Sequence, residues 1–227
     1  MDIGKTRGAL MRLYEIKRWS MVEVRRQQNV AEHTFAVMII AEAIYEVLYP
    51  VSHNSFAKDS VRRWAMYHDA EEYWVTDMPS PVKRAIQAAK GGPEALDAIT
   101  EKACNQALQE YLNLRRGIKG TMPEAIVRLA DRLEALSYFN EYGLDTPANR
   151  IVDEYLKASL NKAWTQLRGH PMSPLHNDPQ MNHELGGVID DILYPHKTFV
   201  PHLMRVRHGL AYYEDDDQVV KDSSTEG

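Results

Sequence analysis

Apolar residues recur along this chain every three to four positions, and strict apolar/polar alternation is scarce, which predicts helices throughout and no sheet. The pattern predicts helices over 5–17, 30–49, 56–74, 93–112, 122–141 and 149–168. Pro79, Pro81, Pro93, Pro123 and Pro147 punctuate the gaps, and Pro93 and Pro123 suit the first turns of the helices they open. Gly91-Gly92 breaks the pattern before the fourth helix, and there is no internal repeat. Beyond residue 169 the texture changes: Pro171, Pro174, Pro179, Pro195 and Pro201 are interleaved with His170, His176, His183, His196, His202 and His208. These histidines lack the i, i+4 spacing of a helical metal site. They predict an extension that wraps over the helical body with one short helix near 182–193, and the run Glu214-Asp215-Asp216-Asp217 predicts a disordered acidic end. The expected organisation is a helical domain over 1–169, an extension packed on it over 170–213 and a disordered tail over 214–227.

On the second helix, Val30, Val37, Ile40, Ile44, Val47 and Leu48 share one face while Glu32, Glu42 and Glu46 share the other. His33 falls in the middle of the apolar face. An imidazole buried there must be hydrogen-bonded or metal-bound, because leaving it unpaired costs stability. The third helix places Val61, Trp64, Ala65, His68 and Glu72 on one stripe, with Asp69 on its shoulder. Polar groups gathered on an inward face read either as a buried His68–Glu72 hydrogen bond or as adjacent ligands, His68 and Asp69, with Glu72 one turn along beside a bound water. In the helix from Glu124 to Glu141 the apolar centre is Ile126, Leu129, Leu133 and Leu136, and Asp131 lies on a flank with Val127 and Tyr138. Periodicity alone does not prefer Asp131 to Asp145 or Asp153 as a further ligand.

Composition narrows the classes. The chain has 227 residues, 44% apolar and 26% charged, which suits one folded domain with a sizeable core. A formal charge of −5 argues against a general grip on polynucleotide phosphates, though a small phosphorylated ligand needs only two or three placed cations. The single cysteine, Cys104, rules out an internal disulfide framework and reads as a half-buried helix residue in a reducing compartment. The longest apolar run, Val37-Met38-Ile39-Ile40-Ala41, is far too short for a bilayer, and no signal pattern opens the chain. A soluble, cytoplasmic protein with no membrane partner is expected.

Five blocks carry a family resemblance: Ile16-Lys17-Arg18-Trp19, Asn29-Val30-Ala31-Glu32-His33-Thr34, Ala65-Met66-Tyr67-His68-Asp69-Ala70-Glu71-Glu72, Thr76-Asp77-Met78-Pro79-Ser80-Pro81-Val82-Lys83 and Leu129-Ala130-Asp131-Arg132-Leu133-Glu134-Ala135. In this order they resemble the HD-domain metal-dependent phosphohydrolases, with a signature of His, His-Asp and Asp on separate helices. Within that superfamily the chain is most similar to the bacterial 5'-deoxynucleotidases, over residues 12 to about 140. Phage dATP triphosphohydrolases share the scaffold. The resemblance implies an all-α bundle of about six to eight helices and a divalent ion held by His33, His68, Asp69 and Asp131. Mixed N/O ligation suits Co, Mn, Zn or Fe better than Mg.

By the same resemblance Arg18 contacts the phosphate, Trp19 walls the sugar against a ribose 2'-hydroxyl and Glu72, with Asp69, handles protons. Asp77 holds the 3'-hydroxyl, Pro79-Ser80-Pro81 shapes the base side and Lys83 sits near it. Val75-Thr76 stands where the family pattern leads one to expect Thr-Gly, and the C-terminal third has no counterpart in that pattern. The implied activity is hydrolysis of a deoxynucleoside monophosphate to deoxynucleoside and phosphate by a homodimer or higher homo-oligomer. Two alternatives stand beside it. One is a deoxynucleoside triphosphate triphosphohydrolase, for which Arg25, Arg26, Lys83 and Arg84 would supply charge. The other is an HD protein that senses a nucleotide without turnover.

Overall fold

In the computed structural model, residues 11–50, 55–89 and 109–194 are described, with single positions at 8, 91, 95, 98 and 101. Eight α-helices run through these residues: α1 Val30–Leu48, α2 Ser55–Tyr67, α3 Glu72–Val75, α4 Ser80–Ala88, α5 Gln109–Ile118, α6 Met122–Tyr142, α7 Pro147–Gly169 and α8 Pro179–Leu193. Single 3-10 turns lie at Arg12–Tyr14 and Pro174–His176. Among the described residues the only β-type pairings are isolated bridges, Lys17 with Asn29 and Val24 with Gly143. The chain is all-α, as its periodicity predicts.

Four helix starts are written in the sequence. Asn29 caps α1 by accepting from the Glu32 N–H at 2.8 Å, and the Glu32 carboxylate accepts in return from the Asn29 N–H at 3.3 Å. Thr121, Thr146 and Asp178 cap α6, α7 and α8, each followed by a proline in the first turn. α1 and α6 form the centre. α7 folds back on α6 after a four-residue connection, α2 lies across α1 and α6, and α8 packs on both. The buried stripe of α1 is Val30, His33, Val37, Ala41, Ile44, Tyr45 and Leu48. Ile40 and Val47, expected on that face, are only partly buried and pack at its edge. On α6 the expected Ile126, Leu129, Leu133 and Leu136 are all buried. A smaller apolar cluster of Tyr67, Ala70, Tyr111 and Leu112 joins the end of α2 to α5, with Trp64 stacked on Tyr111 at 6.2 Å.

The helix expected over 56–74 is two helices. α2 stops at Tyr67, and residues 68–71 form a tight turn in which Ala70 N–H donates to the Tyr67 carbonyl and Glu72 N–H to the Asp69 carbonyl. The short helix α3 follows. Of the 5–17 helix, the described positions Gly8 and Met11 are α-helical, Arg12–Tyr14 continue as a 3-10 turn, and the helix has ended by Ile16. Most of the 93–112 helix, Cys104, Arg84's side chain and the acidic end lie outside the described residues. No helix among the described residues is long and apolar enough to cross a membrane.

Candidate metal centre

The break after Tyr67 organises the site. In a continuous helix His68 and Asp69 would point about 100° apart. In the turn both side chains face α1, where His33 is fully buried one turn after the cap. His33 Nε2 lies 3.3 Å from His68 Nε2, 3.4 Å from Asp69 Oδ2 and 3.3 Å from Asp131 Oδ1 of α6. His68 Nε2 is 3.3 Å from the same Asp69 oxygen. The donor atoms of His33, His68 and Asp69 lie within 4.8 Å of one another. Of the four residues singled out as ligands, His33, His68 and Asp69 form one compact group drawn from α1 and the turn after α2, and Asp131 of α6 adjoins it on the His33 side.

Hydrogen bonding on the far side of each ring assigns the tautomers. His68 Nδ1 lies 2.7 Å from the Ala65 carbonyl oxygen, which can only accept, so Nδ1 carries the proton. His33 Nδ1 lies 2.5 Å from Glu134 Oε2. Burial pushes the Glu134 carboxyl up, but His33, Arg18 and Gln28 outweigh it and hold the group below the ordinary range, so it accepts from Nδ1–H. In the neutral rings both Nε2 atoms then present lone pairs to each other and to two carboxylates. Four acceptors converge with no donor between them, and such a cluster is stable only with positive charge at its centre. Burial opposes a charged His33, and so does Arg18, yet Glu134, Asp131 and Asp69 keep its affinity for a proton well above the ordinary imidazole. His68 behaves alike: burial lowers its pKa and Asp69 more than restores it. Asp69 and Asp131 are pushed up by burial but held well down, Asp69 by the two histidines and Asp131 by Arg132 and His33. A divalent cation meets the same demand with both rings neutral, and two imidazoles with two carboxylates are a fitting donor set for one.

Around this centre lie the other expected residues. Arg18 Nη1 donates to Glu134 Oε2 at 3.2 Å and to Gln28 Oε1 at 3.1 Å, and its guanidinium sits 5.4 Å from the Trp19 ring. Trp19 donates from Nε1 to Gln28 Oε1 at 3.1 Å and stacks on Tyr138 at 5.9 Å. The Trp19 backbone has φ 63°, unusual for a bulky residue. Burial raises the Asp77 pKa, Arg18 opposing it and Asp69 adding to it. Glu72 has one carboxylate oxygen that is buried with no hydrogen-bond partner among the described residues. Burial first, then Asp69 and Asp77, holds that carboxyl well above its ordinary pKa. Pro79 precedes α4, and Lys83 on α4 points its Nζ 3.9 Å from Glu71 Oε1.

Two residues of the site were not singled out from sequence: Glu134 and Gln28, only 5% and 4% exposed. Gln28 Nε2 donates to Glu134 Oε1 at 2.5 Å, closing a chain from His33 to Trp19. The signal for Glu134 is positional. Val127, Asp131, Glu134 and Tyr138 fall at i, i+4, i+7 and i+11 on one flank of α6, so an acid there follows the candidate ligand by one turn.

The bundle and its His, His-Asp, Asp convergence define an HD-domain protein. The chain belongs to the family described as 5'-deoxynucleotidase YfbR-like, whose model matches residues 7–145, more than half its length. Among curated relatives, a 5'-deoxynucleotidase of Pectobacterium atrosepticum is 35% identical over 130 residues, 55% of this chain and 65% of that protein. A dATP triphosphohydrolase of Acinetobacter phage SH-Ab 15497 is 29% identical over 147 residues, 62% of this chain and 68% of that protein. A 5'-deoxynucleotidase of Pasteurella multocida matches over 43% of its own length, so the chain spans less than two thirds of some curated relatives. In structure, the cyanophage S-2L HD phosphohydrolase (DatZ), solved with dA and one catalytic Zn2+ ion, superposes with a TM-score of 0.65 at 20% identity. That match covers 83% of this chain and 96% of the cyanophage one, and it supports the fold.

Proposed function

We propose that this protein hydrolyses 5'-phosphorylated deoxynucleosides, deoxynucleoside monophosphates first, with a divalent ion held by His33, His68, Asp69 and Asp131. The observation that carries the reading is the approach of two imidazole Nε2 atoms, whose Nδ1 sides are already hydrogen-bonded, to the Asp69 and Asp131 carboxylates. When bound, the ion would polarise a phosphoryl oxygen and make a nearby water more acidic. Glu72 presents an unpartnered, proton-avid carboxylate oxygen, suited to take a proton from the attacking water and return one to the departing 5'-oxygen. Arg18 is held in place through Nη1 and aims its remaining N–H donors at the phosphate oxygens. Trp19 gives the sugar a flat wall that excludes a 2'-hydroxyl, and Asp77 accepts from the 3'-hydroxyl. Pro79 and Lys83 border the base.

The monophosphate reading is supported by charge. Arg18 faces Glu134, Arg132 faces Asp131 at 3.5 Å, Arg26 faces Glu32 and Lys83 faces Glu71, so each of these cations is partly neutralised by a carboxylate. A triphosphate brings more negative charge than such a rim attracts. The triphosphohydrolase reading is favoured by the phage dATP triphosphohydrolases among the relatives. The ion is Co, Mn, Zn or Fe in this reading, and the working form is a cytoplasmic homodimer. The test is a panel of dNMPs and dNTPs with Mn2+, Co2+ or Zn2+, run on the species isolated by size exclusion, whose mass tests the dimer. Inorganic phosphate from dAMP supports the first reading and tripolyphosphate from dATP the second. No product from either class overturns the nucleotide reading.

A further inference from the structure

The proposed metal pole and the proposed substrate pole are joined by a single buried carboxylate. Glu134 accepts from His33 Nδ1–H through Oε2, and the same oxygen accepts from Arg18 Nη1 at 3.2 Å. Its second oxygen accepts from Gln28 Nε2. Gln28 in turn uses its one carbonyl oxygen to accept from both Arg18 Nη1 and Trp19 Nε1. No atom of this chain is interchangeable. A neutral group in place of Glu134 would leave the buried His33 ring without a charged acceptor, and Arg18 without its counter-ion. An apolar side chain in place of Gln28 would leave two donors unpaired beside a half-buried indole.

We propose that Glu134 is a positioning residue that does two things at once: it holds His33 with its proton on Nδ1 and Nε2 turned to the ion, and through Gln28 it sets Arg18 and Trp19 relative to that ion. This rests on the metal reading above. Glu134 lies behind the His33 ring, on the side away from Nε2, so it acts through the ligand and through Arg18. A carboxylate behind a ligating histidine fixes ring orientation and makes the ligand more basic, and losing one characteristically weakens metal affinity about 10–100-fold. Gln28 has no contact with a proposed ligand among the described residues, so its loss should be felt at the substrate alone.

The test is titration of the purified full chain with Mn2+ by calorimetry, with Co2+ absorption as a second probe, together with steady-state kinetics on dAMP. It uses wild type, Asp69→Ala, Glu134→Gln, Glu134→Asp and Gln28→Leu, after thermal unfolding has shown which variants fold. Glu134→Gln should weaken Mn2+ binding about 10–100-fold and alter the visible spectrum of bound Co2+. Glu134→Asp, which keeps the charge on a shorter arm, should fall between it and wild type, and it carries the test if the amide variant does not fold. Gln28→Leu should leave Mn2+ affinity within about threefold of wild type while KM for dAMP rises, because the residue touches Arg18, Trp19 and only the Glu134 oxygen turned away from His33. Wild-type Mn2+ affinity and Co2+ spectrum in the folded Glu134 variants, with binding lost in Asp69→Ala, would overturn the positioning role and leave the metal reading standing. No Mn2+ binding by wild type would overturn both.

Discussion

Thr76 shows how one residue carries a departure from the family pattern into the backbone. The position where the pattern calls for glycine has φ 60° and ψ 173°, a region that only glycine enters without strain, and a β-branched side chain is poorly suited to it. The strain stands next to Asp77, the carboxyl proposed to accept from the sugar 3'-hydroxyl. Thr76→Gly should therefore stabilise the protein by about 1 kcal/mol, the relief of strain exceeding the entropy that glycine adds to the unfolded chain. A urea midpoint read by circular dichroism checks this, and an unchanged or lower midpoint would show that the turn tolerates threonine. At this scale the sequence was largely legible. His33, His68 and Asp69 stood out because ionisable groups on apolar stripes need partners. Asp131 was legible only through the family pattern, because its flank position resembles those of other acids. Glu134 offered only its place on the Asp131 flank and Gln28 offered nothing, because their roles depend on which side chains the fold brings behind His33.

Helices followed from their caps and stripes. The starts of α1, α6, α7 and α8 coincide with Asn29, Thr121, Thr146 and Asp178, where a short polar side chain meets a free helix N–H. The break at Tyr67 was hidden because the apolar period runs on through Glu72, while the tertiary demand to point two adjacent side chains at His33 outweighs helix continuation. α1 and α2 are also tied across their exposed sides by Glu42, which accepts from Lys58 at 2.8 Å and from Arg62, including Nε at 2.9 Å. Those hydrogen bonds pull the Glu42 pKa down to about 2, against a small upward push from burial. A carboxyl whose pKa is lower in the folded state adds stability that is full above its unfolded pKa and vanishes as pH falls through the folded value. Glu42→Gln should thus cost about 1 kcal/mol at pH 7, the pair being partly exposed and screened. That cost should narrow through pH 4 and approach zero near pH 2. Urea midpoints of both proteins at pH 7, 5 and 3 check it, and a cost independent of pH would contradict the ion-pair account.

The whole molecule is a central pair, α1 and α6, wrapped by α2, α7 and α8, with the candidate centre where α1, α6 and the turn after α2 meet. Each of the three contributes because its own packing is secure: His33 stands in a buried stripe, Asp131 on the most buried helix, and the His68-Asp69 turn against the Tyr67–Tyr111 cluster. Rigid elements hold His33, His68 and Asp69 as one compact donor group with Asp131 beside His33, the kind of support a metal centre needs. The central claim is that this constellation binds a divalent ion and that dephosphorylation of a deoxynucleotide depends on it. The most direct test is phosphate release from dAMP as Mn2+ is titrated into chelator-treated protein, wild type beside Asp131→Asn. The account predicts no release without metal, saturable activation in wild type, and a loss of at least about a hundredfold in the variant. Release that persists in excess chelator, or a variant as active as wild type at every Mn2+ concentration, would contradict it.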